Sequence, residues 1–242
     1  RLLCQSAWQQ GGGLTRDALR EACLAVVNEA AAAADPLDAV LGRVPHGVAA
    51  WAHLSACAAN LWLASGDGRH TDLEALSRTV DLALEHGWTR MVLFVDYLQR
   101  VPVLSTRSLA AGERIERVLA GLKGLAMRTT AGGTVLAVVA VGAADAAGLR
   151  RGRVHLENLW GPTLMQYEPD LAWIGNRDGM DGTGCSRVRW AVEKNRRGPS
   201  QVEFRHRYHG AAFWFDPEGA RVEAGADWQS ERDRTRREGH ND

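Results

Sequence analysis

The sequence is short of cysteine, has no long apolar run, carries no net charge and contains no glycine-rich phosphate-binding frame. Its four cysteines (Cys4, Cys23, Cys57 and Cys185) are scattered, with no C-x-x-C pair. That spacing argues against a zinc site or a disulfide framework and fits a reducing cytoplasm. No apolar run approaches the ~20 residues that span a bilayer, and no signal-peptide pattern opens the chain, so no membrane partner is expected. Lys+Arg and Asp+Glu both number 29. This balance does not announce nucleic-acid binding, for which a basic domain would be expected, although it leaves a local basic patch open. The frame G-x-x-x-x-G-K-[ST], whose backbone N–H groups cradle phosphates, occurs nowhere in the 242 residues. The triplet Gly11-Gly12-Gly13 lacks the lysine and hydroxyl that frame needs and reads as a flexible turn. No serine sits in a G-x-S-x-G elbow.

What is present is the composition of a globular α/β protein. Hydrophobic residues make up 45% of a chain long enough for one large domain or two small ones. Leu2 to Ala7 reads as a short buried strand. Thr15 is placed to cap a helix running through Leu19, Cys23, Val26 and Val27, which Ala30 to Ala34 extend or fray. Pro36 to Leu41 predicts a second helix. Val48 to Asn60 predicts a third, with Trp51, Leu54 and Cys57 or Ala58 on its apolar face. Leu61 to Ala64 reads as a strand. Thr71 opens a helix whose stripe is Leu73, Leu76, Val80, Ala83 and Leu84, with Asp72 and Glu74 favoured by its dipole, and Gly87 ends it.

A second long helix is expected over Arg107 to Arg128, striped by Ile115, Val118, Leu119, Leu122 and Leu125. Val135 to Val141 reads as a strand buried on both faces, and Leu171 to Ile174 as a further short strand. Alternating strands and helices imply right-handed crossovers and a mainly parallel sheet flanked by helices. The end differs. Val188, Trp190 and Val192 alternate with charged residues, and after Gly198-Pro199 so do Val202, Phe204, His206 and Tyr208. Period two on both sides of a turn predicts a C-terminal antiparallel hairpin, with Ala211 to Phe215 closing the fold. The expected domain is 1–224, and 225–242 is a charged tail without periodicity, expected to be disordered.

The stretch that carries most chemistry is Met91-Val92-Leu93-Phe94-Val95-Asp96. Five apolar residues in a row read as a strand buried on both faces, ending in an acid where open α/β sheets bind ligands. A carboxylate there can hold a hydrated Mg²⁺ beside a nucleotide phosphate, as a Walker B aspartate does. The run alone is equally compatible with a buried strand that happens to end in Asp. Two weaker clusters lie near the end. His206 and His209 are three apart, so a strand puts their rings on opposite faces, against a shared metal. Asp178 and Asp181, among the glycines between Asn176 and Gly184, read as a polar turn because the frame of a calcium loop is wrong.

Asp96-Tyr97-Leu98-Gln99 followed by Val101-Pro102 resembles the Walker B region of DnaB-type replicative helicases. Lys194-Asn195-Arg196-Arg197-Gly198-Pro199 resembles the Lys-x-Arg-Asn-Gly-Pro hairpin of the same family, in the right order and at the right distance, and the likeness covers roughly residues 1–217. The resemblance implies a RecA-like fold and a motor that hydrolyses ATP with Mg²⁺ between the subunits of a homo-oligomeric ring, or with partner helicase subunits, on single-stranded DNA. It implies Asp96 as the metal carboxylate, Gln99 beside it at the nucleotide, and Lys194 and Arg196 as the pair offered to a neighbouring subunit. An arginine finger of that kind neutralises charge on the transferred phosphoryl group. The P-loop is then expected upstream of Arg1.

Three positions depart from the family pattern. Trp8 stands where the family has a catalytic glutamate, Ala143 where it has a glutamine near the γ-phosphate, and Trp160-Gly161-Pro162-Thr163 where it has a DNA-gripping Arg-Glu-Ser-Gly loop. Trp160 is expected to be a buried aromatic, with stacking on a base as the other reading. Arg150, Arg151 and Arg153 offer a local positive patch or a solvated loop. These departures keep open a silent RecA-fold subunit with a structural or regulatory role.

Overall fold

The structure, a computed structural model, describes residues 2–9, 11–28, 36–105, 108–131, 133–150 and 152–222. The expected tail at 225–242, the run Ala30 to Ala34 and Arg151 lie outside these residues. The elements in chain order are α1 (Leu2–Gln9), α2 (Arg16–Asn28), α3 (Pro36–Leu41), α4 (Gly47–Ala58), α5 (Leu73–Glu85), β1 (Arg90–Val95), α6 (Ala111–Ala131), β2 (Val135–Ala140), α7 (Ala146–Arg150), α8 (Leu164–Tyr167), β3 (Leu171–Met180), β4 (Ser186–Asn195), β5 (Val202–His209), β6 (Trp214–Phe215) and β7 (Ala220–Val222). They fall into two compact units. The first comprises the described residues of Arg1–Ala64, Gly175–Trp190 and Val202–Asp242, and the second Ser65–Ile174 and Ala191–Gln201.

In the first unit the core is small-residue packing among Cys4, Ala7, Leu14, Ala22, Val26, Val40, Val44, Ala50 and Ala212. Leu2 to Ala7 is helix rather than the expected strand, and Cys4 and Ala7, one turn apart, are fully buried. A six-residue stretch has no periodicity long enough to separate the two, and the small side chains pack against α4. Thr15 does cap α2, its Oγ1 accepting the Ala18 N–H at 3.2 Å. The buried face of α2 is Ala18, Leu19, Ala22 and Val26, while Cys23 and Val27 are exposed. α4 forms as expected, but it buries Gly47 and Ala50 and leaves Trp51 and Cys57 exposed. The face with the smallest side chains lets the helix approach closely, and that outweighs the larger apolar face. Leu61 to Ala64 is not a strand. It is exposed irregular chain.

In the second unit α5 and α6 cover one face of a parallel pair, β1 and β2, in the register Met91↔Leu136 through Val95↔Ala140. The N-cap of α5 is Asp72, whose carboxylate accepts the Ala75 N–H at 2.8 Å, one residue later than Thr71. Gly87 ends the helix at φ +82°, which a Cβ would strain. The α6 stripe is buried as its spacing predicts: Ile115, Val118, Leu122 and Leu125 enter the core. At Gly121 a Cβ would lie 2.5 Å from Leu73 Cδ1, so the absence of a side chain is what lets α6 close on α5. Residues 108–110 precede α6 as irregular chain.

The strands are not buried on both faces. Met91 and Val95 face the helices, but Val92 is 56% and Phe94 71% exposed, and Val139 on β2 shares their face. β1–β2 is the single parallel pair among the described residues, so the sheet is not mainly parallel. The larger sheet has the order β3-β4-β5-β6, with β7 also on β5. Its hairpin strands are those expected from the period-two pattern, and the β5–β6 and β5–β7 pairs are antiparallel. β3 runs six residues past the Ile174 end expected for it. β3 and β4 each pass from one unit into the other.

Candidate functional site

Asp96 directly follows β1 in the second unit, and it is exposed at the carboxyl end of the parallel pair. The Asp96–Tyr97 peptide is cis. A 3₁₀ turn, Leu98–Arg100, follows, with Leu98 buried and its N–H donating to the Val141 carbonyl at 2.8 Å. The chain after β1 is thereby tied to the chain after β2, which puts both strand ends at one place.

Gln99 completes the tie. Its Oε1 accepts the Ala143 N–H at 3.2 Å, and its Nε2 donates to the carbonyls of Ala143 (3.4 Å) and Trp160 (3.0 Å). The Trp160 N–H in turn donates to the Ala143 carbonyl at 2.8 Å. Three residues picked out separately in the sequence, Gln99, Ala143 and Trp160, therefore meet in one cluster beside Asp96. Trp160 is 45% exposed rather than buried, while Met165 packs against Gly161, where a Cβ would clash with its sulfur. That exposure is compatible with stacking on a flat ring. Arg150 is exposed, but Arg153 is partly buried, so those arginines do not share one solvated face.

Lys194 and Arg196 lie together at the end of β4 and meet α8. Lys194 Nζ donates to the Gln166 carbonyl at 2.9 Å and also to that of Tyr167, while Arg196 Nη2 donates to Tyr167 at 2.7 Å. Both cations thus satisfy carbonyls left open at a helix C-terminus, which also favours positive charge. Arg196 Nη1 pairs with Asp170 at 3.0 Å, and Asp170 accepts Lys123 Nζ at 2.6 Å. Lys123, and Arg196 behind it, hold the Asp170 carboxyl below the usual carboxylate range. Burial pushes the Lys194 ammonium below the ordinary lysine range, with Arg196 adding to it against Asp170. Among the described residues no hydrogen bond or ion pair joins Asp96 to Lys194 or Arg196.

Trp8 belongs to the first unit. Its ring stacks on Trp214 at 5.4 Å and tilts on His209 at 4.4 Å. His206 and His209 have different surroundings, His206 beside Gly219 and His209 beside the tryptophans. Asp181 closes a polar turn, accepting the N–H groups of Thr183 and Cys185 at 2.9 Å each. The alternation of β4 and β5 did not reveal a charged network that joins them to Asp178 on β3. Arg189 bridges Asp178 and the buried Glu203 at 3.3 Å each, and Arg205 joins Asp178 at 2.8 Å. Only the odd-numbered charged residues of the two strands signalled a shared face.

The donor set suits one kind of metal. Among the described residues no group of three or more His, Cys, Asp or Glu is placed to hold an ion. A lone exposed carboxylate cannot cage a cation, but it can share a hydrated Mg²⁺ with nucleotide phosphates, which supply the remaining oxygens. Gln99 spends its amide on backbone groups and would have to release them to reach a ligand.

The structure is similar to that of a DnaB-like replicative helicase described together with its interactions with primase, with TM-score 0.61, 12% identity, and 88% of this chain and 47% of that chain covered. It is similar also to a second solved structure, described as an ATPase domain, with TM-score 0.62, 13% identity, and 88% of this chain and 67% of that one covered. The chain has the fold of DnaB-like helicase ATPase domains. It spans about half the length of the first of these chains and two thirds of the second. No family model and no curated protein matches the sequence. No helix among the described residues is long and apolar enough to cross a membrane.

Proposed function

We propose that this chain is a RecA-like motor domain of a DnaB-like helicase, working in a cytoplasmic ring that moves on single-stranded DNA. The observation that carries the reading is the exposed Asp96 carboxylate at the end of a parallel strand, within a fold shared over 88% of the chain with helicase ATPase domains. Asp96 would hold Mg²⁺ with ATP. When bound, the metal neutralises phosphate charge. The residues of this chain do the rest. The Gln99 tie fixes the loops after β1 and β2 against each other, and Trp160 presents a ring beside them. Lys194 and Arg196 act in a neighbour's site once they leave the α8 carbonyls. The test is single-stranded-DNA-stimulated ATP hydrolysis by the protein and by Asp96→Ala. Hydrolysis lost in the variant supports the reading, and hydrolysis equal in both sinks it.

A second reading rests on Trp8. It stands where the resemblance puts the water-orienting glutamate, and its ring is committed to His209 and Trp214. A tryptophan cannot take a proton from water. On this reading the chain is a silent subunit that stabilises a ring and donates Arg196 to a competent partner. Mixed assemblies with an active helicase decide the point. Arg196→Ala must lower the partner's turnover, and unchanged turnover removes the donor role.

A further inference from the structure

In the first unit one cysteine lies inside a cluster of base, cation and hydroxyl. Cys185 Sγ is 3.2 Å from His209 Nδ1, 3.5 Å from Thr183 Oγ1 and 3.9 Å from Arg207 Nη2. Asp181 fixes these groups from below. It accepts the Cys185 N–H at 2.9 Å, the Thr183 hydroxyl at 2.7 Å and Arg207 Nε at 2.8 Å. Thr183, with help from Cys185 and Arg207, holds the Asp181 carboxyl well below the usual range, so it stays charged. Asp181 and the Cys185 sulfur together hold the Arg207 guanidinium above its ordinary value. Asp216 reaches Arg207 from the far side at 4.0 Å. His209 is clamped by Trp8 and Trp214, with ring centroids at 4.4 and 5.2 Å. The Trp8 indole N–H, buried in the same cluster, has no hydrogen-bond partner among the described residues.

The other thiols have different surroundings. Cys4 is fully buried, and burial pushes its thiol up, which suits an inert core residue. Cys23 and Cys57 are exposed on helices. Only Cys185 combines partial exposure with a base at hydrogen-bond distance and a cation beside the sulfur. This is the arrangement of an activated nucleophile, with the base itself held by a third group.

We propose that Cys185 is a modification site that undergoes thiol–disulfide exchange with small disulfides. His209 Nδ1 takes the thiol proton, and Sγ attacks one sulfur of the incoming disulfide. That S–S bond breaks as the Cys185 S–S bond forms. The departing thiolate takes the proton back from His209 and leaves as thiol. One disulfide and one thiol enter, and one mixed disulfide and one thiol leave, with no other oxidant. Arg207 stabilises the sulfur anion on the way, and the adduct then occupies the space between Arg207 and His209.

The probe is oxidised glutathione, applied to the full chain, with adducts at each cysteine followed by peptide mass spectrometry. The expected order is Cys185 first, Cys23 and Cys57 at least tenfold slower, and Cys4 last. His209→Gln should bring Cys185 down to the rate of Cys23 and Cys57 without changing theirs. Arg207→Met should give an intermediate rate. Should His209→Gln fail to fold, Arg207→Met decides: Cys185 must slow relative to Cys23 and Cys57. Equal rates at the three cysteines, a folded His209→Gln variant that keeps the fast rate, or an unchanged Cys185 rate in Arg207→Met would overturn the proposal.

Discussion

Replacing Gln99 with Leu should loosen one loop pair and nothing else. The carboxamide makes three hydrogen bonds, to the Ala143 N–H and to the carbonyls of Ala143 and Trp160. A neutral hydrogen bond contributes about 1 kcal/mol net, and one made at 3.4 Å contributes less, so the tie amounts to roughly 2 kcal/mol. Trp160 is half exposed, and water can replace part of what its carbonyl loses. The Ala143 N–H is the sharper reporter. Its protection reflects local opening, and roughly 2 kcal/mol corresponds to about a thirtyfold change in an equilibrium. Amide hydrogen exchange on the protein without nucleotide should therefore show Ala143 exchanging about thirty times faster in Gln99→Leu. Amides in the middle of α5, which has its own contacts to α6, should keep their protection. If Ala143 stays as protected as before, Gln99 does not hold the loops together, and its amide is free for a ligand after all.

Three further outcomes follow from the packing. Arg189→Met removes the guanidinium that bridges Asp178 and Glu203 and should cost about 1.5–3 kcal/mol in urea unfolding; an unchanged unfolding midpoint would mean that the bridge carries no net stability. Asp72→Ala removes the N-cap of α5 and should cost about 1 kcal/mol, read from the same unfolding curves, while Thr71→Ala should cost less. Asp170 has its folded pKa lowered by Lys123 and Arg196. Its contribution is therefore full above the ordinary carboxylate value of about 3.9 and disappears as pH falls through the lower folded value. Asp170→Asn should thus be less stable than the unaltered chain at pH 6, and the gap should close below about pH 4.

Long amphipathic elements were legible in the sequence. α6 carries five apolar positions at helical spacing over three turns, and no other arrangement buries them together. The Thr15 cap, Pro36 and Gly87 mark boundaries through backbone chemistry that acts locally, so they survive into the fold. Short stretches were not legible. Leu2 to Ala7 and Leu61 to Ala64 are too short for period to separate helix, strand and irregular chain, and their states depend on partners distant in sequence. The same limit explains Val92 and Phe94. Five apolar residues in a row suit a doubly covered strand, but coverage is decided by other elements, and the helices lie on one face.

At the candidate site, Asp96 was legible because chain order places an acid at a strand end. The Gln99 tie was not, since it joins backbone atoms 44 and 61 residues away that carry no side-chain signal. Trp160 illustrates the converse: a residue type that usually packs is 45% exposed here. Lys194 and Arg196 were read as a pair, and they do act together, but on the α8 carbonyls of their own chain.

The most direct measurement is equilibrium binding of a fluorescent ATP analogue, with and without Mg²⁺, to the unaltered protein and to Asp96→Ala. A metal–nucleotide site at Asp96 predicts Mg²⁺-dependent binding that weakens tenfold or more in the variant, which corresponds to about 1.4 kcal/mol. Binding of equal strength in both proteins, or binding by neither, would contradict it.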